Sequence, residues 1–433
     1  MVQDGGPVGL GGVRVEFDDE RVVSDAGVML VATLAQRLGL EALAGDLVRL
    51  RRDRAGAANA GCKVMALVYA MVLGADSIDD ADVLRAGRTR RLLGGWLPAP
   101  STLGTFLRAF TFGHVRQLDK LLGEALERAW RAGAGPGARR LVIDVDSFVG
   151  EVCGRLKQGA AYGYTQLLGY HPLLATRADT REALHIRLRK GSANTQKGIL
   201  RFTDELIARV TRAGATGVKL FRADSGFWNT KVFERLEQAG WQYSIGARTS
   251  KTVRAAVEAI PEEAWQAIDY PDDGEAQIAE TVYGGRRMIV RRTRLLGAQA
   301  ELWPDWRHFC LITNRDEEIA LVEREHRDHA VVEQVIADLK DQALQHFPSG
   351  QFNANGAWTV LAALAHNLLR WTQLLGLPDT PVRAARTLRR WLIQLPGRLT
   401  RHARGWTLHL PARWPWHGDY IKALNRIRAL AAA

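Results

Sequence analysis

The sequence predicts an α/β protein: a mixed sheet with helices, carrying an inserted β module and preceded by a helical N-terminal domain. Three observations predict it. Apolar residues recur at helical spacing from about 28 to 130. After a glycine-rich break, strand patterns alternate with helical ones. Two strand patterns, 277–283 and 286–292, meet at Gly284-Gly285, a hairpin signal.

The chain has 433 residues, 47% hydrophobic and 24% charged, a globular composition long enough for two or three domains. Its net charge of +12 and pI near 9.9 favour a polyanionic partner, nucleic acid first, because an enzyme of small molecules gains little from such a field. It contains no run of about 18 apolar residues, and Met1 to Gly12 lack a basic start followed by an apolar core. A cytoplasmic protein without a membrane partner is therefore expected. Cys62, Cys153 and Cys310 are odd in number, far apart and without a CxxC pair, which indicates neither disulfides nor zinc.

Residues 1–12 are glycine-rich and expected to be disordered, and Val13 to Phe17 alternate like a short strand. The helical stripes that follow (Val28 to Leu38, Leu40 to Leu50, Val64 to Leu73, Leu103 to Phe112, Leu118 to Trp130) define a mostly helical domain over 1–136. Arg49, Arg51, Arg52 and Arg54 crowd one of its helix ends, either as a solvated end or as phosphate contacts. Ala132 to Gly137 read as a linker, since glycines and a proline do not continue a helix.

Next, 137–249 form the first part of an α/β domain. Leu141 to Ser147 are a buried strand whose period of two puts Asp144 and Asp146 on the same face. His171 to Ala178 and Ala183 to Arg189 make a hairpin, 195–212 a helix, and Val218 onward a strand ending in Asp224. A helix at 230–239 and a strand at 241–247 follow. Residues 250–308 are the inserted β-rich module, and 309–376 the second part of the α/β domain, with a helix expected over 318–345. Spacings of three, four and seven put His326, His329, Glu333 and Lys340 on one polar face of that helix.

Residues 377–433 complete a basic, Trp/Arg-rich C-terminal region. From Arg370 onward, twelve arginines and lysines face two aspartates, which accounts for most of the net charge. Arg389, Arg390, Arg401 and Arg404 lie among Trp371, Trp391, Trp406, Trp414 and Trp416. Cations interleaved with aromatics suit a nucleic-acid surface, although the same tryptophans suit a core.

Carboxylates at the ends of buried strands are costly unless a cation meets them. Two strand-end acids and one helical acid would hold two Mg²⁺ (or Mn²⁺) ions, hard cations that prefer oxygen ligands. Such a pair serves in-line phosphoryl displacement, as in a nuclease or a strand-transfer enzyme.

Several motifs then carry a family resemblance: Asp144-Val145-Asp146-Ser147; Gln158 to Tyr164 with Leu168 to Ala175; Leu188 to Thr195; Arg222 to Phe227; His329 to Gln334 with Ile336 to Lys340; and His366 to Trp371. Together they resemble the insertion-sequence transposases of the 1380 family, strongly over 140–375. The resemblance implies a ribonuclease-H-like catalytic domain with an Asp-Asp-Glu triad interrupted by a β insertion. Asp224 and Glu333 match the second and third acids. The hydroxyl residue Ser147 favours Asp146 as the first, with Asp144 as the alternative. Related transposases carry Tyr, Arg, Glu and Lys on the last helix; His326 and His329 depart from that pattern, while Glu333 and Lys340 keep it.

The resemblance further implies a nucleoid-associated enzyme. It would hydrolyse the phosphodiester at each transposon end and join the freed 3′-hydroxyl to target DNA. Its partners would be terminal inverted repeats, target DNA and a second copy of itself in a synaptic complex. Lys340, Arg189, Lys190, His326, His329 and the tail arginines are the candidate DNA contacts, Arg189 and Lys190 equally readable as a strand end. Trp265, Trp303 and Trp306 are candidates for stacking a flipped base or for packing within the inserted module. A DNA-binding derivative without catalysis and a nuclease without joining activity are the competing readings.

Overall fold

The computed structural model describes residues 11, 13–51, 53, 55–163, 165–269, 274–295, 306–403 and 405–432. Its centre is a sheet of nine strands, numbered here along the chain within that sheet. They are β1 Leu141–Ser147, β2 Leu173–Arg177, β3 Ala183–Arg187, β4 Lys219–Ala223, β5 Gln242–Gly246, β6 Gln266–Ile268, β7 Gly274–Tyr283, β8 Arg286–Leu295 and β9 Arg307–Thr313. The order across the sheet is β6-β7-β8-β9-β5-β4-β1-β2-β3. β4 runs parallel to β1, and β5 parallel to β4, whereas every other pair is antiparallel. The inserted stretch thus contributes three strands to one edge of this continuous sheet. Gly284 and Gly285 both take positive φ (58° and 75°) between β7 and β8, the conformation a two-residue hairpin turn needs.

The helices used below are α1 Val28–Arg37, α2 Leu40–Leu47, α3 Ala60–Leu73, α4 Pro100–Arg108, α5 Phe112–Ala129, α6 Ile199–Arg212, α7 Thr230–Gln238, α8 Lys251–Glu258, α9 Ile319–Arg327, α10 Val331–Lys340, α11 Phe352–Gly376 and α12 His417–Ala429. No single helix among the described residues is long and apolar enough to cross a membrane. The long α11 is buried on nearly every face and packs against α1, α3, α4, α5, α12 and β3. One apolar core accordingly runs from Val28 to Ile427.

A helix buried this deeply must satisfy its polar groups inside the protein. Asn367 does so on the edge strand β3, accepting from the Ala183 amide (2.7 Å) and donating to the Ala183 carbonyl (2.8 Å). Trp371 Nε1 donates to Glu182 (2.7 Å), which also accepts from Trp130 Nε1 (2.9 Å), Thr180 Oγ1 (2.5 Å) and the Arg177 guanidinium (3.1 Å). The stretch after α5 joins this assembly through the buried Trp130 and Ala134, and Gly133, at φ 114°, leaves the helical conformation there.

Residues 251–258, expected within the β-rich stretch, form helix α8, and two further expected elements change. Val13 to Phe17 form no strand; Val22–Val23 find a partner strand instead, and the exposed segment before them leaves its backbone groups to water. The helix expected over 318–345 is two helices, α9 and α10, joined by a 3₁₀ turn at Asp328–Ala330. The Arg222 guanidinium donates to the Glu325 and Asp328 carbonyls and so ends α9. The expectation for residues 1–12 falls, apart from residue 11, outside the described residues.

Glu182 is fully buried and its donors come from three separate parts of the chain. Removing it leaves the Arg177 guanidinium and two indoles short of an acceptor. Glu182→Ala should therefore cost about 3–5 kcal/mol of stability, read as a lowered denaturant midpoint in urea unfolding.

Candidate active site

The strand register assembles the acids. Val145 of β1 lies opposite Ala223 of the parallel β4, so the next residues, Asp146 and Asp224, stand side by side where the two strands end. Asp146 Oδ1 accepts from the Ser147 amide (2.6 Å), and Asp224 Oδ1 accepts from the Gly226 amide (2.9 Å) while capping the 3₁₀ turn Ser225–Phe227. Each carboxylate keeps a second oxygen outside these bonds. Glu333 is exposed in the first turn of α10, where the helix N-terminus favours a negative charge, and α10 packs against β1. The charges of the other two acids reach Asp146. Burial first, and then the charges of Asp224 and Glu333, push the Asp146 carboxyl up to about 6, against the Ser147 amide and His329.

Asp144 has a different role. One residue pair earlier in the same register it faces Arg222, which binds it in a fork of two hydrogen bonds, Nε to Oδ1 at 2.7 Å and a terminal nitrogen to Oδ2 at 2.9 Å. Asp144 is fully buried, and its oxygens face a guanidinium. Sequence reasoning assigned no function to Arg222, which both neutralises Asp144 and ends α9. The signal was present, since Arg222 precedes Asp224 by the same two residues that separate Asp144 from Asp146.

The break between α9 and α10 takes His326 away from Glu333. His326 Nδ1 pairs with Ser244 Oγ of β5 (2.8 Å), and burial, followed by the charges of His329 and Arg222, lowers its imidazole to about 3. It is neutral near pH 7 and offers no charge to a phosphate, which corrects its expected place among the DNA contacts. His329 stays beside the acids, its Nε2 3.2 Å from the Val145 carbonyl. Lys340 also remains, with its ammonium 5.6 Å from the ring of Phe148, two residues past Asp146.

A second acidic group offers a contrast. Ligand atoms of Asp119, His185 and Glu205 all lie within 4.8 Å of one another; among the described residues no other such trio exists, so Asp146, Asp224 and Glu333 are spread more widely. Guanidiniums already fill this trio. Arg209 (2.6 Å) and Arg116 (2.8 Å) hold Asp119, and Arg116 (2.9 Å), Arg201 (3.0 Å) and Arg187 hold Glu205. Against burial, the His185 hydrogen bond and the Arg187 charge bring Glu205 down to about 2. A metal ion there would meet four cations, so the cluster serves to tie α5 to β3 and α6.

The family model described as "transposase DDE domain group 1" matches residues 7–432. The chain belongs to this family of transposases. No curated protein matches the chain. Among solved structures, the chain is similar to that titled "Cryo-EM structure of piggyBac transposase synaptic complex with hairpin DNA". The identity is 13% over 86% of this chain and 80% of that one, with a TM-score of 0.48.

Other residues expected to meet the transposase's substrate divide by burial. Arg189 is buried and donates to the carbonyls of His171, Asn194, Thr195 and Lys197 (2.8–3.1 Å), so it organises the 191–198 loop and does not face solvent. That loop reaches the acids, because a Cβ on Gly226 would lie 3.1 Å from Thr195 Cγ2 and 3.0 Å from Asp224 Oδ1. Lys190 beside it is exposed. Arg389 is buried against Asp341 (2.6 Å), a second correction, whereas Arg390 and Arg401 are exposed. Arg404 and Trp303 lie outside the described residues.

Trp265 and Trp306 both lie against the Arg292 guanidinium, at 4.1 and 4.6 Å, and Glu262 holds that guanidinium at 2.6 and 2.8 Å. The two indoles are therefore engaged within the inserted module. Trp371 is core, while Trp406 is half exposed.

The two aspartates of β1 should separate by substitution. Asp144→Asn breaks a buried ion pair and should cost about 3–5 kcal/mol. Asp146→Asn removes a carboxylate crowded by like charges and should leave stability in metal-free buffer unchanged or higher. Thermal unfolding of the two variants in EDTA checks this contrast.

Proposed function

We propose that this transposase cleaves the phosphodiester at transposon ends and joins the freed 3′-hydroxyl to target DNA. Asp146, Asp224 and Glu333 are its catalytic acids. The observation that carries the reading is the register that stands Asp146 beside Asp224 while Arg222 withdraws Asp144. The strand order β3-β2-β1-β4-β5, with its antiparallel first three strands and parallel β4 and β5, supports a ribonuclease-H-like catalytic domain.

The donor set fits hard divalent cations. All three residues are carboxylates, and a cation beside Asp146 would offset the burial, and after it the neighbouring charges, that raise its carboxyl. Two Mg²⁺ or Mn²⁺ ions held there would activate the attacking oxygen and stabilise the leaving oxygen of an in-line displacement. The residues of the chain supply the rest. The Ser147 and Gly226 amides fix one oxygen of each aspartate and so aim the other. Arg189, through the loop it folds, holds Thr195 against the Asp224 turn. Lys340 and Lys190 are cations placed to bind phosphates flanking the scissile bond, and exposed Arg390 and Arg401 extend that charge along the DNA. A second copy of the chain would hold the other transposon end.

Asp146→Asn, Asp224→Asn and Glu333→Gln should each reduce Mg²⁺-dependent cleavage of a duplex bearing the element's terminal repeat by at least about a thousandfold, on the order of 4 kcal/mol of barrier. DNA binding by gel shift should persist in all three. Wild-type cleavage rates in the Asp146 or Asp224 variant would overturn the site, and cleavage without joined products would reduce the enzyme to a nuclease.

A further inference from the structure

The two ends of the described chain meet in a small sheet of their own. Val22–Val23 pair with Gly397 and Arg398, and Gly397–His402 pair with Gly405–His409. Leu399 packs inward against Val23 and Ala26. Beside it the Trp406 indole, half exposed, carries two guanidiniums, Arg88 at 5.6 Å and Arg401 at 5.9 Å. Arg88 is anchored by donating to the Leu399 carbonyl (2.7 Å). Arg90 and Arg91 follow it and are exposed, and with Arg88 they line a cleft of about 700 Å³ against Val22.

The charges of this surface do not balance internally. Glu16, Asp19 and Glu20 line the same cleft, but Glu16 pairs with Arg14 (2.6 Å), and Asp19 pairs with Arg21 (3.5 Å) and Arg398 (3.4 Å). Among the described residues, Arg88, Arg90, Arg91 and Arg401 form no ion pair with a carboxylate. Four guanidiniums against Asp18 and Glu20, the acids of this segment without an ion pair, leave a positive surface, and the indole holds two of them in place before any partner arrives. Repeating negative charge on a rigid rod is what such a surface complements.

We propose that this terminal sheet docks the phosphate backbone of duplex DNA. Recognition is by charge and spacing, with no base edges read. The proposal rests on the transposase reading for its choice of duplex DNA.

The test is binding of the full chain to a 30-bp duplex of arbitrary sequence in EDTA, followed by fluorescence anisotropy from 0.05 to 0.2 M NaCl. Replacing Arg90, Arg91 and Arg401 together with alanine should make log K against log salt shallower by roughly 0.9 per lost contact, and weaken binding at 0.1 M by about tenfold or more. The matching triple lysine variant should keep the wild-type slope. An alanine variant with the wild-type slope overturns the proposal, as does a lysine variant that loses as much as the alanine one. Tighter binding of a single-stranded RNA, lost in the alanine variant, overturns the assignment to duplex DNA. Metal-dependent cleavage by the wild-type protein reports separately on the acids, so its failure would remove the transposase reading while the binding result stood on its own.

Discussion

The structure turns on one buried carboxylate. Glu182 sits in the turn between β2 and β3 and accepts hydrogen bonds from the strand (Arg177), the turn itself (Thr180), the end of the N-terminal helical region (Trp130) and the long helix α11 (Trp371). A carboxylate without water is costly, and its place in the core is stable because every donor is present at once. Helical region, sheet and α11 are tied together at this point, and one continuous apolar core spans them.

The same logic repeats in the middle of β1. Asp144 and Arg222 are opposite each other on adjacent parallel strands, and their fork of hydrogen bonds leaves Arg222 with nitrogens to spare for the carbonyls that end α9. One ion pair thereby sets where α10 begins, and with it where Glu333 stands relative to Asp146 and Asp224. The positioning is indirect: Arg222 acts through Asp144 and the end of α9. A site that must bring acids together needs such supports, because the acids repel one another and do not assemble themselves.

Cation distribution follows a matching division. Arginines that the fold uses, such as Arg177, Arg189, Arg209 and Arg389, are buried on carbonyls and carboxylates. Those left at the surface, such as Arg90, Arg91, Arg390 and Arg401, carry the field that a polyanion meets. The net charge of +12 already cancels each guanidinium paired with a carboxylate, so the surface arginines without such a partner are the ones a polyanion meets.

The sequence by itself determined the class of protein. Period-two runs ending in Asp146 and Asp224, the Gly284-Gly285 turn and the helical stripes before 130 are local patterns, and local hydrogen bonding realises them. Strand geometry did not distinguish Asp144 from Asp146, because both point the same way from one strand, and only the resemblance, through Ser147, favoured Asp146. The parallel register with β4 separates their surroundings, setting Arg222 against the first and Asp224 beside the second. Likewise Arg189 and Lys190 are alike in sequence, yet one is buried in four carbonyls and the other is exposed. The helix that seemed continuous through His326 and Glu333 was broken by an arginine a hundred residues earlier, and the tryptophans of the inserted module met Arg292 across a hairpin. These outcomes rest on which distant groups meet, and only tertiary packing sets that.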